Sequence, residues 1–184
     1  MLSASHIRGS GQFAGCGHWV VSKVKRRIPI RALVRTTSRP LSSAAGRGVI
    51  LADTSAWVEF DRATGSTVDV RLTRLITDDG PIAVTEPVMM EVLAGARTDT
   101  GQRDLRRLLH RFHLHSVDPA PDFEAAARIY RQCRHNGVTP RGLIHCLMAA
   151  VAWRNNATLL AYDIDLHRLA GIVGIGMDPA SHRA

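Results

Sequence analysis

A chain of 184 residues, 45% of them apolar, has room for one domain of ordinary size and too little left over for a second. Its formal charge of +8 is unevenly laid out: residues 1–48 hold nine Lys or Arg and no acid, while residues 49–184 hold fifteen basic against sixteen acidic side chains. The basicity therefore belongs to the N-terminal extension, and the domain at −1 cannot attract phosphates through its net field.

No apolar run approaches the roughly 20 residues a membrane helix needs, so a soluble protein is expected. Cys16, Cys133 and Cys146 form no CxxC pattern, which indicates neither a disulfide framework nor a zinc site and suits a reducing compartment such as the cytoplasm. The extension, residues 1–48, is rich in Gly, Ser and Arg and lacks sustained periodicity. A disordered basic tail, a transit peptide and translation upstream of the true start all fit it. The last is favoured because a first strand begins abruptly at Val49.

That strand, Val49 to Ala52, runs into Asp53 and two hydroxyl residues, Thr54 and Ser55, before a helical pattern begins. Buried parallel strands read as continuous apolar runs, and an acid at the carboxyl end of one stands where α/β sheets hold ligands. The plainer role of Asp53 is a helix cap. Apolar residues Val68, Leu72, Leu75 and Ile76 then mark an amphipathic helix over 67–79, and Gly80-Pro81 breaks it. Residues 82–85 read as a second buried strand. The next helix opens at Glu86-Pro87 with an apolar stripe of Val88, Met89, Val92 and Leu93, amid which Glu91 is unusual.

A helix over 102–112 carries Arg103, Arg106, Arg107 and Arg111 on a solvated face. Residues 114–117 alternate like a short strand, and 122–135 read as a helix with Phe123, Ala126, Ala127, Ile129, Tyr130 and Cys133 inward. The segment 140–153 is apolar on almost every side and predicts a central packed helix, with Arg141 and His145 as polar exceptions one turn apart. Residues 157–162 form a further buried strand ending in Asp163 and Asp165, followed by a short helix over 166–170 and an edge strand over 172–177.

Strands alternating with helices predict an α/β fold with a parallel sheet covered on both faces. Asp53 and Asp163 then arrive at one sheet edge and Glu91 follows the second strand, so the three can share an acidic pocket. Clustered acids are ordinarily reconciled by a bound Mg²⁺ or Mn²⁺, which suits phosphodiester hydrolysis.

The strings VILADTSAW at 49–57, TEPVMMEVLAG at 85–95, CLMAAVA at 146–152 and LLAYDIDL at 159–166 resemble a PIN domain, and more narrowly the VapC toxins of type II toxin–antitoxin systems. The resemblance covers residues 49 to about 178. It implies a three-layer α/β/α sandwich and a Mg²⁺-dependent endoribonuclease that cuts tRNA or rRNA and blocks translation. It also implies a homodimer held inactive by a cognate antitoxin whose C-terminal segment lies over the pocket. By the same resemblance Asp53, Glu91 and Asp163 are the catalytic acids and metal ligands, with Asp165 auxiliary. Thr54 or Ser55 orients the first acid or a metal-bound water and, with Arg141, contacts RNA.

One position departs from the pattern. The family carries an aspartate before the Cys-Leu-Met-Ala-Ala stretch, and this chain has His145. A neutral imidazole ligates metal without adding negative charge and suits Mn²⁺ better than Mg²⁺, so the substitution implies weaker or metal-shifted activity. A PIN module that has lost catalysis and only binds RNA or antitoxin is the competing class. A phosphotransferase using Asp53 as nucleophile is more distant, since no lysine follows Lys25.

Overall fold

Strand β1 (Ile50–Ala52) lies inside a four-stranded sheet of order β3-β2-β1-β4, with β2 at Ile82–Val84, β3 at His113–Leu114 and β4 at Thr158–Leu160. Every pairing is parallel: Leu51 stands opposite Ala83 of β2 and Leu159 of β4, and Val84 stands opposite Leu114. The computed structural model describes residues 48–181, so the readings of the basic extension fall almost wholly outside the described residues.

Seven helices in the described part supply the crossovers that parallel strands require. They are α1 (Thr54–Arg62), α2 (Thr67–Thr77), α3 (Glu86–Ala94), α4 (Asp99–Leu109), α5 (Pro119–His135), α6 (Leu143–Arg154) and α7 (Ile164–Val173). The expected parallel α/β architecture, with helices flanking the sheet, is what forms. The chain steps from β1 outward to β2 and β3, then returns across the sheet to β4 on the other side of β1. That reversal opens a crevice at the carboxyl ends of β1 and β4, the usual ligand position in an open α/β sheet.

The core consists of the apolar residues of β1, β2 and β4 with Trp57, Phe60, Leu72, Leu108, Met148 and Leu166, all buried, while Leu114 of the edge strand β3 is exposed. Trp57 meets Phe60 edge-on at 6.0 Å between ring centroids, a favoured aromatic arrangement. In α6, Ala149, Ala150 and Ala152 are buried and let the helix approach closely, as its composition predicted. Its end is pinned to the start of α5: Arg154 donates from Nε to Asp122 Oδ1 at 2.9 Å and from Nη2 to Asp122 Oδ2 at 2.7 Å. Nη2 also reaches the Ser116 carbonyl at 2.6 Å, tying both helices to the chain after β3.

Several boundaries depart from the sequence reading. Helix α5 starts at Pro119, whose missing N–H costs nothing in a first turn, and Phe123 and Ala127 are exposed rather than inward. Ala126, Ile129 and Cys133 set the buried stripe, and Phe123 and Ala127, four residues apart, share the solvent side. Helix α6 begins at Leu143, after an extended Gly142. The edge strand expected over 172–177 is absent: burial of Leu166, Leu169 and Ala170 carries α7 through to Val173. Gly174 stops it at φ +74, a conformation glycine adopts without strain, and only Met177 bridges to Leu159.

Candidate active site

The crevice between β1 and β4 is built around Asp53. Its backbone N–H donates to the Leu160 carbonyl at 2.9 Å, which fixes the acid to the neighbouring strand's end. Its side chain caps α1, with Oδ2 accepting from the Ser55 amide at 2.8 Å and from the Ser55 hydroxyl. The capping role and the site role therefore coincide in one residue. Asp53 is 1% exposed, and its other oxygen, Oδ1, is buried with no hydrogen-bond partner.

A bare buried carboxylate oxygen is costly to keep charged. Burial pushes the Asp53 pKa above the ordinary carboxylate range, and nearby Asp163 pushes the same way. Facing His145 opposes this first, followed by the bonds from Ser55. His145 and Asp163 thus each lie within electrostatic reach of Asp53.

Surrounding residues lock the frame. The Ser55 hydroxyl also accepts from the Tyr162 amide at 2.9 Å, which ties the loop after β4 to the loop after β1. Thr54 Oγ1 donates to Glu91 Oε2 at 2.5 Å, drawing α3 to the start of α1. Asp163 caps α7, its Oδ1 accepting from the Leu166 amide at 2.8 Å. His145, near the start of α6, has a buried Nδ1 with no partner. Asp165 Oδ2 lies 2.5 Å from Arg141 Nε, so the acid and the arginine expected to serve metal and RNA separately are paired with each other.

The structure thus links Asp53 with His145, Asp163 and Ser55, Thr54 with Glu91, and Asp165 with Arg141. It does not draw the set into a closed cage: among the described residues no three His, Cys, Asp or Glu side chains form a ready metal-holding group. The unpartnered Asp53 Oδ1 and His145 Nδ1 are nonetheless the two kinds of donor, hard oxygen and imidazole, that a divalent ion takes. The residues fit such an ion in part. Two contributions escaped the sequence reading: the Tyr162 amide, because a backbone role leaves no side-chain signature, and the Asp122–Arg154 clamp, whose only trace is a basic residue in the last turn of an apolar helix.

The family model described as PIN domain matches residues 50–172. The chain belongs to the PIN domain family. It belongs to the VapC branch as well: ribonuclease VapC11 of Mycobacterium tuberculosis and a VapC ribonuclease of Mycobacterium bovis are each 44% identical to it over 128 residues, spanning 69% of this chain and 96% of theirs. The fold is also that of VapBC2 from Rickettsia felis, solved bound to a DNA fragment from its promoter. There the TM-score is 0.57 at 18% identity, covering 71% of this chain and 97% of that one. In this PIN domain Asp53, the acid expected from the resemblance to open the motif, is buried, and His145 stands where the resemblance led to the expectation of an aspartate.

Proposed function

We propose that this PIN domain is a metal-dependent endoribonuclease acting as the toxin of a VapBC toxin–antitoxin pair. It cuts a structured RNA, tRNA or rRNA, and so inhibits translation in the cytoplasm. The supporting observation is Asp53: a buried acid with one oxygen free, at the carboxyl end of the central strand, facing His145 and Asp163. The names of its VapC relatives support ribonuclease chemistry, and the VapBC complexes among its structural neighbours support a cognate antitoxin.

Asp53, Glu91, His145 and Asp163 are the residues that would hold Mg²⁺ or Mn²⁺, with Asp165 at the margin. Such an ion supplies an activated water and a counter-charge for the leaving oxygen. The chain's own part is orientation. Ser55 holds Asp53 Oδ2 and leaves Oδ1 without a hydrogen-bond partner, and Thr54 holds Glu91 by one oxygen. Family likeness supports a homodimer. A weakened, RNA- or antitoxin-binding module is the second reading, favoured by the loss of one negative charge at His145.

The test is RNA cleavage by the full chain in Mg²⁺ and in Mn²⁺ beside Asp53→Asn. Metal-dependent cutting that the substitution abolishes is the expected result. RNA binding without cutting in either metal selects the second reading.

A further inference from the structure

Beside the crevice, α5 and the segment leading into α6 enclose an open groove of about 550 Å³. Its lining includes Tyr130, Arg131, Pro140, Arg141 and Leu143, and no acid is among the lining residues. This is a local cationic patch on a domain whose net charge is −1. Arg131 is exposed and makes no ion pair among the described residues. Arg141 is held differently. Its Nε lies against Asp165 Oδ2 at 2.5 Å, while the side chain as a whole is 76% exposed and that of Asp165 only 12%. The contact is a charge pair without hydrogen-bond geometry, and most of the Arg141 side chain faces solvent. Asp165 lies in the first turn of α7, the helix that Asp163 caps, so Arg141 links the groove to the candidate active site by one contact.

We propose that the groove seats the single-stranded RNA segment next to the cleaved phosphate. Arg131 and Arg141 bind its backbone, Tyr130 and the exposed Leu143 pack against a base, and Asp165 is a positioning residue for Arg141. Two arginines beside an aromatic ring are the ordinary means of holding a single strand without reading its sequence. The assignment rests on the ribonuclease reading and adds a strand path to it. It also gives Asp165 work other than metal ligation, in keeping with its contact to a cation.

The experiment is fluorescence anisotropy with the full chain in EDTA, using a labelled single-stranded oligoribonucleotide of about a dozen nucleotides, within the range one such surface accommodates. The basic extension is the same in every variant, so differences between variants report the groove. Arg131→Gln and Arg141→Gln are each expected to weaken binding by roughly fivefold or more and to lower the slope of log affinity against log salt by about 0.7, the value for one lost phosphate contact on a single strand. Tyr130→Leu and the surface substitution Leu143→Ser are expected to weaken binding with the salt slope unchanged. Asp165→Asn is expected to reproduce part of the Arg141→Gln loss and to add nothing in the double variant.

Unchanged RNA affinity in the arginine variants overturns the groove while Asp53-dependent cleavage leaves the ribonuclease reading intact. A chain that neither binds nor cuts RNA overturns both. Arginine variants that bind RNA normally but lose an acidic protein partner make this a protein interface and overturn the RNA assignment. Asp165→Asn that lowers Mn²⁺ affinity by calorimetry without touching RNA affinity overturns its positioning role.

Discussion

Thr54 Oγ1 donates to Glu91 Oε2 across 2.5 Å, joining residues 37 positions apart in the chain. The bond draws the Glu91 carboxylate, and with it α3, to the start of α1. Thr54→Val keeps the shape and removes the donor. The expected outcome is a fall in cleavage rate of about tenfold with a stability loss near 1 kcal/mol, since Glu91 is part-exposed and water can replace the hydroxyl. Single-turnover kinetics beside urea unfolding separates the two effects.

His145 faces Asp53 with an unpartnered Nδ1. Restoring a negative charge there strengthens the hold on a hard ion and removes the one ligand type that prefers softer metals. His145→Asp is expected to raise Mg²⁺ affinity by about tenfold or more, read by calorimetry, and to narrow the gap between Mn²⁺- and Mg²⁺-supported cleavage. No gain in either metal would refute this account of the position.

Asp53 is held at a cost to the fold. Its folded pKa stands above the unfolded value because burial disfavours the charge, so at neutral pH its ionisation subtracts from stability. Asp53→Asn, unfolded in EDTA, is expected to be more stable than the natural chain by about 1 kcal/mol at pH 7 while losing cleavage. The advantage shrinks as pH falls toward the raised pKa, where the natural carboxyl takes up its proton in the folded state. A variant less stable at pH 7 would mean that the charge, not the shape, holds this corner together.

The order of elements and the end of the sheet carrying the acids were legible in the sequence, because β1 and β2 are continuous apolar runs and β4 nearly so, with Asp53 directly after β1 and Asp163 shortly after β4. Element ends were less so. Val173 looks like strand sequence, yet its neighbours at helical spacing are buried on α7, and tertiary packing overrides β-branched propensity. Pairings between distant residues were the least legible. Arg141 and Asp165 could each be assigned a separate ligand from sequence, but only the fold shows that they meet.

Asp122 is almost fully buried beneath Arg154, with Oδ1 and Oδ2 both engaged by the guanidinium and Oδ2 also accepting from the Asp118 amide at 2.7 Å. The Arg154 hydrogen bonds lower the Asp122 pKa first, with the Asp118 amide assisting against burial. Removing the arginine leaves a buried carboxylate with a single donor, so Arg154→Met is expected to cost about 2–3 kcal/mol in urea unfolding. Because the folded pKa lies below the unfolded one, the clamp's contribution is complete above the ordinary Asp value of about 4 and is lost as pH falls through the lowered folded value. The natural chain is therefore expected to lose stability on acidification below about pH 4 more steeply than Arg154→Met, so the two unfolding curves converge. His115, whose pKa is lowered by burial and by His113 and Arg154, adds a separate loss that begins as pH drops below about 6.5, where the unfolded histidine takes its proton and the folded one resists. Repeating the titration in His115→Gln removes that earlier step and leaves the acid one in place.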